Sequence, residues 1–217
     1  KLEGNNPAGS VKDRAAVSMI MGAESRGSIK KKDVLIEATS GNTGIALAMA
    51  ARLLDYKMRL IMPENLSIER RQVMKAFGAD LILVSKEIGM EGARDLANEM
   101  EKKGEGKVLN QFSNDDNWLA HYKNTGKEIL DATNNRVTHF ISAMGTTGTI
   151  TGVSRRLKEF NSGIQIIGVQ PSDGSQIPGI RKCVDPYIRP IRKKAFIDNI
   201  MEVSQSESEE MARRMAL

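Results

Sequence analysis

The sequence predicts an α/β protein of two domains, each a mostly parallel, twisted sheet flanked by helices. From Asp33 onward, short β-type runs alternate with helix-length segments, as in a chain that returns to each new parallel strand through a helix. The helical segment at residues 45–54 is apolar almost all round and has to be buried. Ser, Asn and Asp cluster at residues 112–117 and place a domain boundary there.

Taken in order, strands are expected at residues 34–38, 58–62, 81–84, 107–109, 138–143 and 164–170, where β-favouring apolar residues cluster between polar or glycine-containing breaks. Helices are expected at 11–25, 43–54, 67–77, 89–103, 118–132 and 149–160. The segment at 67–78, with Arg70 and Arg71, reads as an amphipathic surface helix. A last helix at 206–217 would be closed by Ser206 and Glu209 as a capping box. The boundary divides the chain into a smaller domain, residues 6–112, and a larger one, 113–217, against which residues 1–5 are free to pack. A start at Lys1 inside a motif and an end inside a helix read as a chain cut at both sides.

Composition narrows the function. A net charge of +5, from 32 Lys and Arg against 27 Asp and Glu, is spread over short clusters such as Lys30, Lys31, Lys32 and Arg192, Lys193, Lys194. Aromatics make up only 4%, which argues against the stacking surface of a nucleic-acid binder. The single Cys183 precludes an internal disulfide, and with only His121 and His139 beside it a structural zinc site is not expected. These three residues read as packing or surface positions. No apolar run reaches the roughly 20 residues needed to cross a bilayer, and a soluble cytoplasmic protein is expected.

The chemistry lies in three stretches. Thr39-Ser40-Gly41-Asn42-Thr43-Gly44 follows the first strand and opens the buried helix. Its hydroxyls and amides make either an anion cradle, for a carboxylate, or an ordinary capped glycine turn. Gly145-Thr146-Thr147-Gly148-Thr149 follows the strand at 138–143 and consists of Gly and Thr alone. Such a loop closes round a phosphate without a charged side chain. Neither nucleotide signature, G-x-x-x-x-G-K-[ST] or G-x-G-x-x-G, is present. The third stretch is Asn6-Pro7-Ala8-Gly9-Ser10-Val11-Lys12-Asp13-Arg14. Ser10 can cap a helix whose first turn carries Lys12, and the helix dipole there favours the neutral amine that forms Schiff bases. Alone, Lys12 would read as a surface lysine; beside two anion loops it reads as a nucleophile.

With these motifs in this order, and with Gln111-Phe112 and Ile177-Pro178-Gly179-Ile180, the sequence resembles the fold-type II (tryptophan synthase β-like) pyridoxal-phosphate family. Within it, it is similar to the O-acetylserine sulfhydrylases, or cysteine synthases. The Thr147 of the phosphate loop and Gly168-Val169-Gln170-Pro171 resemble the bacterial B isozymes. The resemblance implies that Lys12 binds pyridoxal 5'-phosphate as an imine, Asn42 meets its 3' oxygen, and Gly145, Thr146, Thr147, Gly148 and Thr149 hold its phosphate. It further implies that Thr39, Ser40, Gly41, Thr43 and Gln111 grip the amino-acid carboxylate, with Gly179 at the substrate and the smaller domain closing over it. Arg181 and Lys182 either admit a larger anionic sulfur donor or are a solvated pair. The serine that meets the pyridine nitrogen in the family falls beyond Leu217.

The implied reaction is β-replacement on O-acetyl-L-serine by sulfide, or by thiosulfate, through an α-aminoacrylate, in a homodimer. Two other readings stay open: a cystathionine β-synthase or hydroxyamino-acid dehydratase of the same fold, and a non-catalytic peptide-binding module.

Overall fold

A computed structural model describes residues 1–65, 67–180, 182 and 190–216. Arg181 and Cys183 lie outside the described residues. The chain divides into two compact units, Lys1–Asp116 and Asn117–Leu217.

In the first unit, helices α1 (Lys12–Ser25), α2 (Asn42–Leu53), α3 (Ile68–Ala76) and α4 (Gly89–Lys102) alternate with strands β1 (Val34–Ala38), β2 (Lys57–Pro63), β3 (Asp80–Val84) and β4 (Lys107–Val108). The strands form one parallel sheet in the order β3-β2-β1-β4. Successive side chains of β1 point to opposite faces. Leu35 therefore joins a core with Met19 and Ile20 of α1 and Leu47 of α2, while Ile36 joins Ala93, Ala97 and Met100 of α4. The helix expected to be buried all round is buried from Thr43 to Ala51 apart from Ile45, which is partly covered. Leu53, in its last turn, is 73% exposed.

Residues 1–5, left free above to pack with the second half, lie in the first unit. The carboxylate of Glu3 accepts Nε of Arg14 and Nδ2 of Asn6, each at 2.7 Å, and Nη2 of Arg14 at 3.3 Å, which ties this end to α1 and its entry loop.

The second unit carries a parallel sheet in the order β5-β6-β7, from β5 (His139–Ala143), β6 (Gln165–Pro171) and β7 (Asn199–Val203). Its core is built from Met144, Ile150, Val153 and Leu157 with Leu130, Ile164 and Ile166. The sequence predicts one helix at 118–132. The chain instead forms α5 (Asp115–Ala120), a π-helical turn at His121–Thr125 and α6 (Gly126–Ala132). Helix α7 (Gly148–Phe160) packs so closely on this turn that a Cβ at Gly152 would meet Cβ of His121 and the amide of Tyr122 at 2.6 Å.

Strand β7 is absent from the sequence-based expectation because four of its five residues are exposed and show no alternation. It forms through its register on β6, Ile167↔Asn199 to Pro171↔Val203. The final helix, α8, spans Gln205–Ala216. Its capping box is Ser204 with Glu207, not Ser206 with Glu209: Glu207 N–H donates to Ser204 Oγ at 3.2 Å and Ser204 N–H donates to Glu207 Oε2 at 2.8 Å. Both pairs have the S-x-x-E spacing, and the end of β7 at Val203 selects the first. No helix among the described residues is long and apolar enough to cross a membrane.

Candidate active site

The lysine loop is held on both sides of Lys12. Asp13 Oδ2 accepts the Ala8 N–H at 2.6 Å, Ser10 Oγ accepts the Lys12 N–H at 3.2 Å, and Asn6 Nδ2 reaches the Ser10 carbonyl at 3.0 Å. Gly9 turns the chain at φ +84°, a conformation that favours glycine. Lys12 is thereby fixed as the first residue of α1 and half-buried. Its amine has no hydrogen-bond or ion-pair partner among the described residues, and burial holds its pKa below the ordinary lysine value. The direction matches the sequence argument, and desolvation drives it.

The carboxylate-loop candidates meet at a topological switch point. From β1 the chain moves outward to β2 and β3, then returns to β4 on the other side of β1. The loops leaving the carboxyl ends of β1 and β4 therefore diverge and open a crevice. Thr39 to Thr43 leave β1, and Gln111 follows β4. The structure brings the two together: the Thr43 hydroxyl donates to Gln111 Oε1 at 2.9 Å, and the Gln111 N–H donates to Oε1 of Glu37 at 3.1 Å. Thr39, Thr43 and Gln111 are buried, Ser40 and Gly41 half-buried, and Asn42 exposed at the first position of α2. The N-cap residue Gly41 supplies no side-chain cap to α2; Gly44 N–H donates to the Gly41 carbonyl at 2.9 Å, which leaves the Asn42 and Thr43 amides for an anion.

In the second unit, Gly145 to Thr149 link β5 to α7. The N-cap residue Thr147 gives the helix no side-chain cap, and the first helical amide, Gly148 N–H, donates to Thr146 Oγ1 at 3.4 Å. Thr147 is buried and adopts φ +68°, a left-handed conformation unusual for a β-branched residue and of the strained kind that clusters at binding sites. Glycine is required at 148, since a Cβ there would run into the side-chain amide of Asn117, whose Cγ would lie 2.7 Å away. Asn117 Nδ2 also donates to Thr146 Oγ1 at 3.3 Å. Gly179, at φ +85°, lies beside this loop, its carbonyl oxygen 2.9 Å from where a Cβ of Gly145 would sit.

A family profile described as "Pyridoxal-phosphate dependent enzyme" matches residues 1–217. The chain belongs to this family. It is 59% identical over 217 residues to cysteine synthase B of Escherichia coli (strain K12), covering 100% of this chain and 72% of the relative. It is 60% identical over 216 residues to cysteine synthase B of Pseudomonas aeruginosa, with the same coverage of each. Among solved structures, cysteine synthase from Entamoeba histolytica superposes with a TM-score of 0.93 at 41% identity, covering 100% of this chain and 66% of that one.

The residues present fit the family's cofactor. A Gly and Thr loop at a helix start, shaped by a strained Thr147 and by a Gly148 whose Cβ would meet the Asn117 amide, suits a phosphate. A half-buried amine without a partner among the described residues suits imine formation.

Three residues at the site escape the motif reading. Asn117 backs the phosphate-loop candidate. His121, read from sequence as a packing or surface residue, is buried and also lies 3.3 Å through Nε2 from Thr149 Oγ1 and 2.9 Å through Nδ1 from Thr125 Oγ1. Their i, i+4 spacing, which sets two residues on one helix face, is the only signal they carry. Glu37 lies among apolar strand residues and has none.

Proposed function

We propose that the chain makes L-cysteine from O-acetyl-L-serine by pyridoxal-phosphate-dependent β-replacement. The observation that carries this reading is the similarity, over the whole of this chain and 72% of each relative, to proteins named cysteine synthase B, at 59% and 60% identity. Sulfide is the sulfur donor, with thiosulfate as a second donor that would give S-sulfocysteine. A cytoplasmic homodimer is the expected setting.

In this reading Lys12 holds the cofactor through its amine, Asn42 meets the 3' oxygen, and residues 145–149 hold the phosphate. When bound, the cofactor supplies the electron sink for charge that develops at the substrate α carbon. Thr39, Ser40, Gly41, Thr43 and Gln111 receive the carboxylate through neutral donors, with Gly179 placed at the substrate. Burial keeps the Lys12 amine neutral once the substrate's amine has taken its place: it takes the α proton, acetate leaves the β carbon, sulfide forms the new C–S bond, and Lys12 returns the proton to the α carbon.

The test is the absorbance of the cofactor-loaded protein before and after addition of O-acetylserine, in wild type and in Lys12→Ala. The variant is expected to lose both the cofactor band and cysteine formation. Undiminished turnover in Lys12→Ala would reject the assignment. Condensation of serine with homocysteine faster than cysteine formation would favour cystathionine synthesis on the same fold.

A further inference from the structure

One buried charge has no part in this chemistry. Glu37, the fourth residue of β1, is 3% exposed. Its Oε1 accepts the Gln111 N–H at 3.1 Å, while Oε2 is buried without a hydrogen-bond partner among the described residues. Glu37 lines a cleft of about 70 Å³ with Arg94, Asn98, Asn110 and Phe112.

Gln111 links this carboxylate to the substrate loop. A side-chain amide has an acceptor end and a donor end. The acceptor end of Gln111 takes the Thr43 hydroxyl at 2.9 Å, and its side-chain amide also favours the ionised form of Glu37. A carboxylate only accepts, so it turns the donor end of Gln111 toward itself and the oxygen toward Thr43. A protonated Glu37 carries a donor and removes that bias. The amide is then free to turn over, and the Thr43 hydroxyl loses its acceptor.

We propose that Glu37 is a positioning residue: by holding the Gln111 amide with its oxygen on the Thr43 hydroxyl, it fixes the loop whose backbone amides meet the amino-acid carboxylate. The substrate's identity rests on the function proposed above; the coupling of Glu37 to Gln111 does not.

The surroundings leave this switch to few groups. Beside Glu37, β2 places Leu60 and the segment after β4 supplies Asn110 and Gln111, while the neutral Thr43 of α2 is linked to it through Gln111. The charged group that acts on it is Arg94 of α4, whose guanidinium also lies 4.6 Å from the Phe112 ring centroid. Burial outweighs these partners and raises the Glu37 pKa to about 7, within the range where an amino-acid enzyme is assayed.

KM and kcat for O-acetylserine are measured between about pH 6 and pH 8 in wild type, Glu37→Gln, Gln111→Ala and the double variant. The wild-type KM is expected to rise as pH falls through about 7. Glu37→Gln is expected to show a KM about tenfold higher and flat with pH, as for a lost charge-assisted hydrogen bond, with kcat changed less than KM. Its effect is expected to vanish once Gln111 is already removed. Additive effects, or a Glu37→Gln variant that keeps the wild-type pH break, would overturn the proposal. A readout independent of turnover is the side-chain amide resonance of Gln111 in glutamine-labelled protein. It should titrate with the same midpoint in wild type and not in Glu37→Gln. A resonance that fails to move in wild type overturns the coupling even if the chain acts on another substrate, whereas a moving resonance without cysteine formation rejects only the proposed reaction.

Discussion

Replacing Glu37 by Gln should stabilise the protein at alkaline pH and leave it nearly unchanged in acid. The amide keeps an oxygen for the Gln111 N–H but carries no charge. In the folded protein the Glu37 carboxyl titrates at about 7 instead of the ordinary 4.5 because it is buried. Each tenfold change in proton affinity is worth about 1.4 kcal/mol, so holding the charge inside costs ~3 kcal/mol. A folded-state pKa above the unfolded one means that, between these values, the native chain binds the extra proton. Stability from this group therefore falls as pH rises from 4.5 toward 7, and the full cost is present above that range. Urea unfolding of the cofactor-free chain, followed by far-ultraviolet circular dichroism, gives the free-energy difference between Glu37→Gln and wild type. It should grow from near zero below about pH 5 to ~3 kcal/mol in favour of the variant near pH 8. A difference that stays constant with pH would refute the account of a buried, titrating carboxyl. Together with a raised KM, the gain would mark Glu37 as a residue whose ionised form serves binding at the expense of stability.

Two further outcomes test the rest of the site. Lys12→Met should abolish turnover yet raise the unfolding midpoint of the cofactor-free chain, because it removes a half-buried amine with no partner among the described residues. The lysine pKa is lowered on folding, so this gain should be full below the lowered folded-state value and shrink as pH approaches the ordinary lysine value of 10.5; thermal melts across pH check both signs. Gly148→Ala should cost ~1–3 kcal/mol and weaken cofactor binding, since the new Cβ overlaps the Asn117 amide. Asn117→Ala in the same chain should restore part of the stability, measured by urea unfolding, and additive losses would contradict the steric explanation.

Much of this protein is written locally. The β1 strand at Val34–Ala38 and the start of α4 at Gly89 fall where the sequence predicts them, because apolar runs and glycine breaks act within a few residues of themselves. The three anion and amine stretches are legible for the same reason: their chemistry lies in contiguous Gly, Thr, Ser and Lys. What the tertiary structure decided are the choices that need a distant partner. Two S-x-x-E pairs were equally good caps until β7 paired with β6 and set where α8 could begin. The exposed β7 itself, and the π-turn under Gly152, exist through neighbours far along the chain. So does the burial of Glu37: a carboxylate in a strand carries no local mark of its pKa, which is set by desolvation and by amides 73 and 74 residues away, at Asn110 and Gln111. Short-range sterics and hydrogen bonding are encoded in sequence order, whereas the dielectric around a charge is a property of everything packed against it.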